Sequence, residues 1–317
     1  MQIVILDGQT LNPGDLSWEQ LQALGEITVY ERTAEAEVAD RCSDADIVLT
    51  NKAILSKATL EALPKLKYIG VTATGYNVVD VKTAERQGIT VTNVPAYGTS
   101  SVAQLTISLM LEHCFNVGTH ANSVQSGEWA ASKDFSYWKT PLIELQHKTI
   151  GIVGLGGIGQ AVARLAMAFG MQVIASHKHP ERDKMVGVKF VDLDTCFREA
   201  DFVTLHCPLN EQNKGFVNKR MIELMKPSAF LINTSRGPLI NETDLALALN
   251  SGRIAGAGLD VISKEPPDTD NPLLTAKNCY ITPHIAWATL EARKRLMSVV
   301  VENVKTFIEG SPQNVVS

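Results

Sequence analysis

The chain has 317 residues, more than the ~250–300 at which single hydrophobic cores stop growing, so its length favours two domains. Its 29 basic and 34 acidic residues give a net charge of −5, which argues against binding to nucleic acid or an anionic membrane surface. No uncharged apolar run approaches the ~18–20 residues of a membrane span, and the first apolar run ends at Asp7, as a strand does and a signal peptide does not. The 5 cysteines are scattered without a CxxC pair, which predicts no metal site, no disulfide framework and a cytoplasmic location.

Short apolar runs alternate with helical patterns over the first hundred residues. Strands are predicted at 3–6, 27–30, 47–50, 68–71 and 90–93, and helices at 17–24, 35–42, 56–63 and 80–87. Asp80 is placed as the N-cap of the last of these helices. Such an alternation is typical of a parallel sheet that helices cover on both faces.

A long helix is predicted at 100–116, and its apolar residues cover more than one face, so we expect it to be buried between domains or subunits. A second alternation follows, with strands at 149–153, 172–175, 189–191, 202–206, 229–233, 257–261 and 280–282, and with a last helix at 290–308. We expect this last helix to pack on the first domain. The prediction is an α/β protein with two doubly wound parallel sheets, one domain formed by residues 1–99 and 286–317 and the other by 100–285.

The segment after residue 153 is rich in glycine, and Gly154, Gly156 and Gly159 form a GxGxxG pattern between a strand and a helix. The first glycine of this pattern allows a tight turn, the second lets the backbone approach a pyrophosphate, and the third lets the helix pack closely on the strand. The helix N-terminus then offers unpaired N–H groups to the phosphates. The pattern predicts a dinucleotide site. The alternatives are an ordinary glycine-rich turn, a flavin site or a methyl-donor nucleotide site.

The end of the next strand should carry the residue that meets the adenosine ribose, which is usually Asp or Glu in an NAD site. In this chain no acid stands at that point, and the stretch 176–182 contains His177, Lys178 and Arg182, which could face a 2′-phosphate. This composition favours tolerance of NADPH or preference for it. The alternative is a solvated basic loop without selectivity.

Four polar residues follow later strands, at the carboxyl ends where open α/β sheets bind ligands. Arg236 can hold a carboxylate or carbonyl oxygen with its fork, and Asp260 can accept a hydrogen bond from a nicotinamide carboxamide. Glu265 precedes two prolines, which restrict its backbone, and His284 follows the last strand. A His–carboxylate pair raises the pKa of an imidazole and fixes its tautomer, which makes a general acid–base group. Taken singly, each of these residues has a structural explanation that serves equally well. Arg236 could be a surface residue and Asp260 a turn cap. Glu265 could be a solvated loop acid and His284 a structural residue.

Taken together, the same residues predict a redox reaction. A nicotinamide cofactor would carry the hydride, His284 would carry the proton, and Arg236 would bind an anionic carbonyl substrate. The chain contains no GxSxG, P-loop or HExxH pattern, so a nucleophilic, phosphoryl-transfer or zinc mechanism has no support in its motifs.

Motifs spread over nearly the whole chain resemble the D-isomer-specific 2-hydroxyacid dehydrogenases. They are residues 154–159, His206-Cys207-Pro208-Leu209, 233–237, 258–261, Glu265-Pro266 and Pro283-His284. Within that family, segments 6–8, 11–14, 50–52, 93–95 and 283–287 are most similar to the glycerate dehydrogenases. The resemblance implies a flavodoxin-like substrate domain, a Rossmann domain that binds NAD(P)(H), and a cleft that closes by hinge motion.

The resemblance also implies a role for each matching residue. Catalysis would rest on Arg236, Glu265 and His284. The cofactor would contact Gly154, Gly156, Gly157, Ile158, Gly159, His177, Lys178, Cys207, Pro208, Asn213, Thr234, Ser235, Arg236 and Asp260. The substrate would contact Lys52, Ala73, Thr74, Gly75, Arg236 and His284, with the backbone N–H groups of 73–75 facing its carboxylate. The family is usually dimeric through the region 100–116, which implies a homodimer.

The chain departs from the family pattern at a few places. His177 stands where NAD-dependent members carry Asp, which leaves the cofactor preference open, and Gln104 stands where many members carry Glu. The chain ends soon after its closing helix, so we expect none of the regulatory extension of the long phosphoglycerate dehydrogenases.

The expected activity is the interconversion of hydroxypyruvate and D-glycerate, with glyoxylate as a second substrate. One alternative is a D-lactate dehydrogenase or another 2-ketoacid reductase, because the motifs separate these enzymes poorly. A second alternative is a dinucleotide-sensing scaffold similar to the corepressors that resemble this family. The scaffold is disfavoured because a sensor would not need Arg236, Glu265 and His284 together.

Overall fold

The computed structural model describes all residues, Met1–Ser317. The chain forms two compact units, one of Met1–Gly98 with Ala288–Ser317 and one of Thr99–Trp287. The first unit is therefore discontinuous, since the chain leaves it once and returns to it. The predicted borders, after residues 99 and 285, lie within two residues of these.

The first unit is built on a five-stranded parallel sheet. Its strands are β1 (Gln2–Ile5), β2 (Glu26–Val29), β3 (Ile47–Thr50), β4 (Tyr68–Val71) and β5 (Thr90–Thr92). The order β2-β1-β3-β4-β5 is that of flavodoxin-like folds. Strands β3 and β4 are buried along their whole length, as expected for a sheet covered on both faces.

The helices of the first unit are short except for the last. They are α1 (Gly8–Leu11), α2 (Glu19–Gln22), α3 (Val38–Cys42), α4 (Lys57–Glu61), α5 (Val81–Arg86) and α12 (Leu290–Ile308). The Asp80 side chain accepts a hydrogen bond from the Thr83 N–H at 3.0 Å, so the predicted N-cap of α5 is confirmed. Helix α12 packs on this unit, as predicted, with the Phe307 ring 4.7 Å from the Tyr68 ring of β4.

The second unit is built on a seven-stranded parallel sheet. Its strands are β6 (Thr149–Val153), β7 (Gln172–Ser176), β8 (Val188–Phe190), β9 (Phe202–Leu205), β10 (Phe230–Asn233), β11 (Gly256–Leu259) and β12 (Cys279–Ile281). The order is β12-β11-β10-β9-β6-β7-β8, so the direction of progression reverses at β6. This is the doubly wound arrangement of a Rossmann fold, in which ligands bind beyond the carboxyl ends of the strands.

The helices of the second unit are α6 (Thr99–Phe115), α7 (Val117–Gln125), α8 (Gly157–Ala168), α9 (Leu193–Glu199), α10 (Lys219–Leu224) and α11 (Glu242–Asn250). The long helix α6 packs within its own unit, where Ile107 and Met110 join Val162 and Ala166 of α8 in one apolar cluster. Helix α7 was not predicted, because its sequence is mostly polar. No helix in the chain combines the length and hydrophobicity needed to cross a membrane.

Candidate active site

The glycine-rich turn joins β6 to α8 in a shape that only glycine permits at two positions. Gly154 has φ +97°, and a Cβ there would lie 2.7 Å from the carbonyl carbon of His206. A Cβ on Gly159 would lie 2.2 Å from the Gly154 oxygen, so α8 can approach the strand only if this residue is glycine. Both requirements match the roles expected from the GxGxxG spacing.

Two other glycines leave the mouth of this turn open. A Cβ on Gly156 or Gly157 would have no atom within 4 Å, so both backbones are accessible from outside. Gly156 is the N-cap of α8 and has no side chain to satisfy the N–H groups of the first turn, which include that of Ile158. An open backbone cradle at a helix N-terminus fits a pyrophosphate, so the residues present suit a dinucleotide.

The end of β7 is held to this turn by His177. Its Nδ1 accepts a hydrogen bond from the Leu155 N–H at 3.0 Å, and its Nε2 lies 2.6 Å from Asp183 Oδ2. Both ring nitrogens of His177 are therefore engaged within the protein. This differs from the expectation that His177 could face a 2′-phosphate, because that expectation could not include the partner at Asp183. Lys178 beside it is exposed, as expected.

The loop after β9 is closed by its own polar groups. Asn213 donates from Nδ2 to the Pro208 carbonyl at 2.8 Å, and its Oδ1 accepts from the Asn210 N–H at 2.8 Å. The Ser235 hydroxyl donates to the Cys207 carbonyl at 2.8 Å and so ties this loop to the turn after β10. These contacts connect Cys207, Pro208, Asn213 and Ser235, which were predicted to contact the cofactor.

The turn after β10 is shaped by Asn233. Its Oδ1 accepts from the Ser235 N–H at 3.0 Å, and its Nδ2 donates to the Arg236 carbonyl at 2.9 Å. Thr234 is buried, and its hydroxyl is 3.0 Å from that of Thr106 on α6. The Arg236 side chain is exposed and bonds only to the neighbouring Ser235 carbonyl, at 2.7 Å. The guanidinium therefore has donors left for an anionic ligand.

The segment after β11 packs directly against this turn. A Cβ on Gly237 would lie 1.9 Å from the carbonyl carbon of Ile262, so the backbones are in contact. The Glu242 carboxylate, at the start of α11, accepts hydrogen bonds from the Ser263 N–H at 2.6 Å and from Asn271 Nδ2 at 2.8 Å. Helix α11 thus anchors both ends of the segment that carries Glu265.

Glu265 and His284 form a pair at the carboxyl ends of β11 and β12. His284 Nδ1 lies 2.6 Å from Glu265 Oε2, and Glu265 Oε1 accepts from the Ile262 N–H at 3.2 Å. The side chains are 29% and 34% exposed, and His284 Nε2 makes no hydrogen bond within the protein. The pair has the form of a general acid–base group, with one ring nitrogen oriented by a carboxylate and the other open to a ligand.

Asp260 holds the backbone that presents His284. Its carboxylate accepts from the Thr282 hydroxyl at 2.6 Å and from the N–H groups of Ile285 and Ala286, each at 2.8 Å. His284 has φ +54°, a left-handed conformation that is costly for a residue other than glycine and persists only where its surroundings enforce it. Burial raises the pKa of Asp260, while the donated hydrogen bonds act to lower it. The predicted contact of Asp260 with the nicotinamide stays a prediction.

The residues predicted to bind the substrate carboxylate lie partly in the first unit. The carbonyls of Ala73 and Thr74 accept hydrogen bonds from the Val94 N–H at 3.0 Å and from Asn93 Nδ2 at 2.8 Å. The backbone N–H groups of Ala73, Thr74 and Gly75 donate no hydrogen bond within the protein and remain available to an anion.

Lys52 is exposed, and its backbone is fixed by a buried carboxylate. Asp7 accepts hydrogen bonds from the N–H groups of Asn51 at 2.8 Å and Ala53 at 3.1 Å, and also from that of Lys52. The turn that carries Lys52 is therefore rigid although its side chain is free to move.

Sequence reasoning missed three acids that organise these groups: Asp7, Asp183 and Glu242. Asp183 lies one residue beyond the stretch from which the basic character of the β7 loop was inferred. Glu242 follows Asn241, the N-cap of α11, and a Glu in a first helical turn ordinarily indicates only a favourable helix dipole. Asp7 and Glu242 give no sequence signal beyond their place at the end of a strand or the start of a helix.

Known proteins are similar to this chain over most or all of its length. Residues 107–286 match the family model described as "D-isomer specific 2-hydroxyacid dehydrogenase, NAD binding domain". The chain is 51% identical to a hydroxypyruvate reductase of Blautia hydrogenotrophica, with 100% of both chains covered. It is 39% identical to a glycerate dehydrogenase of Methylorubrum extorquens, with 99% of this chain and 98% of the relative covered.

Among solved structures, an acyclic imino acid reductase in complex with NADPH and D-Arg superposes with a TM-score of 0.87. It is 31% identical, and the match covers 100% of each chain. The family model spans more than half of the chain, and the relatives match over essentially its full length. The chain belongs to the D-isomer-specific 2-hydroxyacid dehydrogenases, with an NAD-binding domain of the Rossmann type.

Proposed function

We propose that the enzyme interconverts hydroxypyruvate and D-glycerate, with glyoxylate as a second substrate. The observation that carries this proposal is the 2.6 Å contact between His284 and Glu265, which leaves Nε2 of the imidazole open in the unit that holds the glycine-rich turn. The identity to a hydroxypyruvate reductase and to a glycerate dehydrogenase supports the choice of substrate.

In this mechanism the protein moves the proton and holds the substrate, and a bound reduced nicotinamide supplies the hydride. His284 donates the proton on Nε2 to the carbonyl oxygen as the hydroxyl group forms, while Glu265 stabilises the imidazolium through Nδ1. Arg236 binds the carbonyl and carboxylate oxygens through its free guanidinium donors. Oxidation of D-glycerate runs the same steps in reverse, with His284 as the base.

The substrate carboxylate is assigned to the backbone N–H groups of Ala73, Thr74 and Gly75 and to the charge of Lys52. Support comes from the carbonyls of this turn, which are already engaged by Asn93 and Val94, and from the absence of any partner for its N–H groups. The exposed Lys52 amine adds a positive charge that its rigid backbone holds in one region.

Turnover measurements with three ketoacids test the proposal. The purified protein is mixed with NADH or NADPH and with hydroxypyruvate, glyoxylate or pyruvate, and loss of the reduced nicotinamide absorbance is followed. The proposal expects hydroxypyruvate to give the highest kcat/KM. Higher kcat/KM with pyruvate would identify a D-lactate dehydrogenase, and saturable nucleotide binding without turnover of any ketoacid would favour the sensing scaffold.

For the cofactor, the proposal is that NADPH is tolerated beside NADH. The exposed Lys178 and the 68% exposed Arg182 side chain, both near the end of β7, are cations that can approach a 2′-phosphate. The two cofactors are compared through their kcat/KM values at saturating hydroxypyruvate. Turnover with NADH alone would refute the tolerance and leave the ketoacid assignment standing.

The oligomeric state we assign is a homodimer. Exposed apolar side chains follow the end of α6, in the region 115–142: Phe115, Val117, Val124, Trp129, Phe135, Trp138 and Leu142. Phe135 has the most exposed aromatic side chain, at 91%, and exposed apolar patches mark protein–protein interaction sites. Light scattering on the wild type and on Phe135→Ser tests this assignment. A wild type that is monomeric at micromolar concentration would contradict it.

A cytoplasmic location is part of the same proposal. All of the cysteines are unpaired, and Cys42, Cys114 and Cys196 are buried. Burial raises the pKa of the Cys42 thiol to about 12 and that of Cys114 to about 11, so few of these thiols are in the reactive thiolate form. Unpaired structural thiols are typical of a reducing compartment, and fractionation of cells tests the location.

A further inference from the structure

A second His–carboxylate pair lies at the end of β7, outside the residues that carry the chemistry. The turn after β7 folds back on itself, because the N–H groups of Arg182 and Asp183 both reach the His179 carbonyl at 3.2 Å. This turn brings Asp183 to within 2.6 Å of His177 Nε2, while His177 Nδ1 remains bound to the Leu155 N–H of the glycine-rich turn. Asp183 is thereby fixed to the dinucleotide cradle through one imidazole ring.

The Asp183 carboxylate is ionised and has one oxygen to spare. Arg182 Nε and a terminal nitrogen of the same guanidinium approach Oδ2 at 3.0 and 2.6 Å, and His177 Nε2 approaches the same oxygen. The Arg182 guanidinium and the His177 N–H lower the pKa of Asp183 to about 2. Because all three donors converge on Oδ2, Oδ1 accepts no hydrogen bond within the protein and is free to accept one from a ligand.

The cations near Asp183 are mostly engaged. Arg182 is paired with Asp183, and Lys184 is paired with Glu181 at 2.6 Å. His177 is engaged at both ring nitrogens, by the Leu155 N–H and by Asp183. Only Lys178 brings a positive charge that has no partner in the protein. The local balance therefore presents a carboxylate with a free oxygen, and it does not present the cluster of free cations that the sequence of this loop suggests.

We propose that Asp183 is the residue that selects between NADH and NADPH, and that His177 is the positioning residue that holds it against the glycine-rich turn. A ribose hydroxyl can donate to Oδ1, whereas a 2′-phosphate has no donor when ionised and would be repelled by the carboxylate. Asp183 thus supplies, from six residues further along the chain, the acid that is missing at the position of His177. The enzyme favours NADH, and NADPH is tolerated because the unpartnered Lys178 lies close by and Arg182 partly offsets the charge of Asp183. This inference rests on the proposed function only in requiring that a dinucleotide binds at the turn.

Binding measurements without substrate test the proposal. Dissociation constants of NADH and NADPH are determined from nicotinamide fluorescence for the wild type, for Asp183→Asn and for the matched control Glu181→Gln, which alters an 83% exposed carboxylate of the same loop. The wild type should bind NADH at least about tenfold more tightly than NADPH, and Asp183→Asn should reduce that ratio about tenfold or more, the equivalent of roughly 1.4 kcal/mol. Glu181→Gln should leave the ratio within about twofold.

Two further measurements give the direction of the effect independently of that variant. Arg182→Ala removes the cation and leaves Asp183 in place, so it should shift the ratio towards NADH, opposite to Asp183→Asn. AMP and adenosine 2′,5′-bisphosphate differ only in the 2′-phosphate. The ratio of their affinities, measured by calorimetry, should change in the same two opposite directions in Asp183→Asn and Arg182→Ala. A ratio that is unchanged in Asp183→Asn, or shifts of the same sign in both variants, would overturn the proposal. Failure of every nucleotide to bind the wild type would instead refute the proposed function.

Discussion

Two imidazole–carboxylate pairs lie at the ends of strands in the second unit, with the same 2.6 Å separation between nitrogen and oxygen. In one pair Glu265 contacts Nδ1 of His284 and leaves Nε2 open. The side chains of Glu265 and His284 are 34% and 29% exposed. In the other pair Asp183 contacts Nε2 of His177, and the Leu155 N–H donates a hydrogen bond to Nδ1. The side chains of Asp183 and His177 are 16% and 10% exposed. The first pair can exchange a proton with a ligand, and the second cannot without breaking a contact.

The difference shows that a short His–carboxylate contact does not by itself make an acid–base group. What decides is the second ring nitrogen, and the local backbone determines where that nitrogen points. The backbone of His284 has a left-handed conformation, and its ring is presented beyond the end of β12. Asp260 stabilises this conformation by accepting three hydrogen bonds, from the Thr282 hydroxyl and from the Ile285 and Ala286 N–H groups. His177 follows β7 and lies against the glycine-rich turn, so its ring is enclosed.

The largest effect is expected from comparing the two histidines directly. His284→Gln removes the proton donor, so kcat for reduction of hydroxypyruvate should fall ~10²–10⁴-fold. His177→Gln loosens the cradle, so it should raise KM for NADH while kcat falls by less than about tenfold. Steady-state kinetics in both substrates give these values. A loss of kcat in His177→Gln as large as that in His284→Gln would show that the two pairs are not functionally distinct.

The next effect is expected from the carboxylate of the first pair. Glu265→Gln keeps an oxygen that can accept from His284 Nδ1 but removes the charge that stabilises the imidazolium. Loss of that charge should lower kcat for reduction of hydroxypyruvate, by less than the ~10²–10⁴-fold expected of His284→Gln, because the imidazole remains in place. Steady-state kinetics of Glu265→Gln and wild type check this. An unchanged kcat in Glu265→Gln would mean that Glu265 acts only by its shape.

Much of the fold could be predicted from the sequence because buried parallel strands are short continuous apolar runs. The strands β3, β4 and β6 begin and end at the predicted residues, as does α12. Helices α1 and α7 were not predicted. Four residues are too few to show a helical period in α1, and the sequence of α7 is mostly polar. The predicted helix at 35–42 instead starts as a 3₁₀ turn, Glu35–Glu37, before α3.

The candidate site contains features that could be predicted from the sequence, around the Glu265–His284 pair, and features that could not, around the Asp183–His177 pair. Arg236, Glu265 and His284 could be placed together because the carboxyl ends of adjacent parallel strands share one edge of a sheet. The engagement of both His177 ring nitrogens could not be predicted, because it depends on a turn that folds Asp183 back over six residues and on a backbone N–H from another strand end. The local sequence shows which residues carry charge, whereas the pairing of those charges depends on the tertiary structure.

A smaller effect is expected from Gly237→Ala, which disturbs the first pair and leaves the second untouched. Its Cβ would lie 1.9 Å from the carbonyl carbon of Ile262, so the segment that carries Glu265 must shift. Overpacking of this kind costs roughly 1–3 kcal/mol of unfolding free energy, and kcat should fall with it. Urea unfolding and kinetics measure both.

Gly157→Ala is the matched control for that variant, because its Cβ would have no atom within 4 Å. It should leave the free energy of unfolding within about 0.5 kcal/mol of wild type, whereas the affinity for the dinucleotide should fall because the cradle is narrowed. Equal stability losses in the two glycine variants would contradict the packing argument.

The smallest effect is expected in the pH dependence of Tm, through the contribution of the Asp183–His177 pair to stability. Hydrogen bonds from Arg182 and His177 lower the pKa of Asp183 to about 2 in the folded protein, against about 3.9 in an unfolded chain. A group whose folded pKa is lowered stabilises the fold fully above the unfolded pKa and loses that contribution as the pH falls through the folded pKa. Asp183→Asn should therefore have a slightly lower Tm than wild type at about pH 6, and the difference should shrink between about pH 4 and pH 2.

Asp15→Asn separates this charge effect from cofactor selection. The Arg293 guanidinium binds both oxygens of Asp15 at 2.6 Å and lowers the pKa of that carboxyl, so the same loss of stabilisation on acidification is expected in the first unit. Because Asp15 lies in the unit without the glycine-rich turn, its variant should keep the wild-type ratio of NADH to NADPH affinity. A Tm difference for Asp183→Asn that stays constant down to about pH 2 would show that the contact with His177 depends on shape and not on the ionised carboxylate.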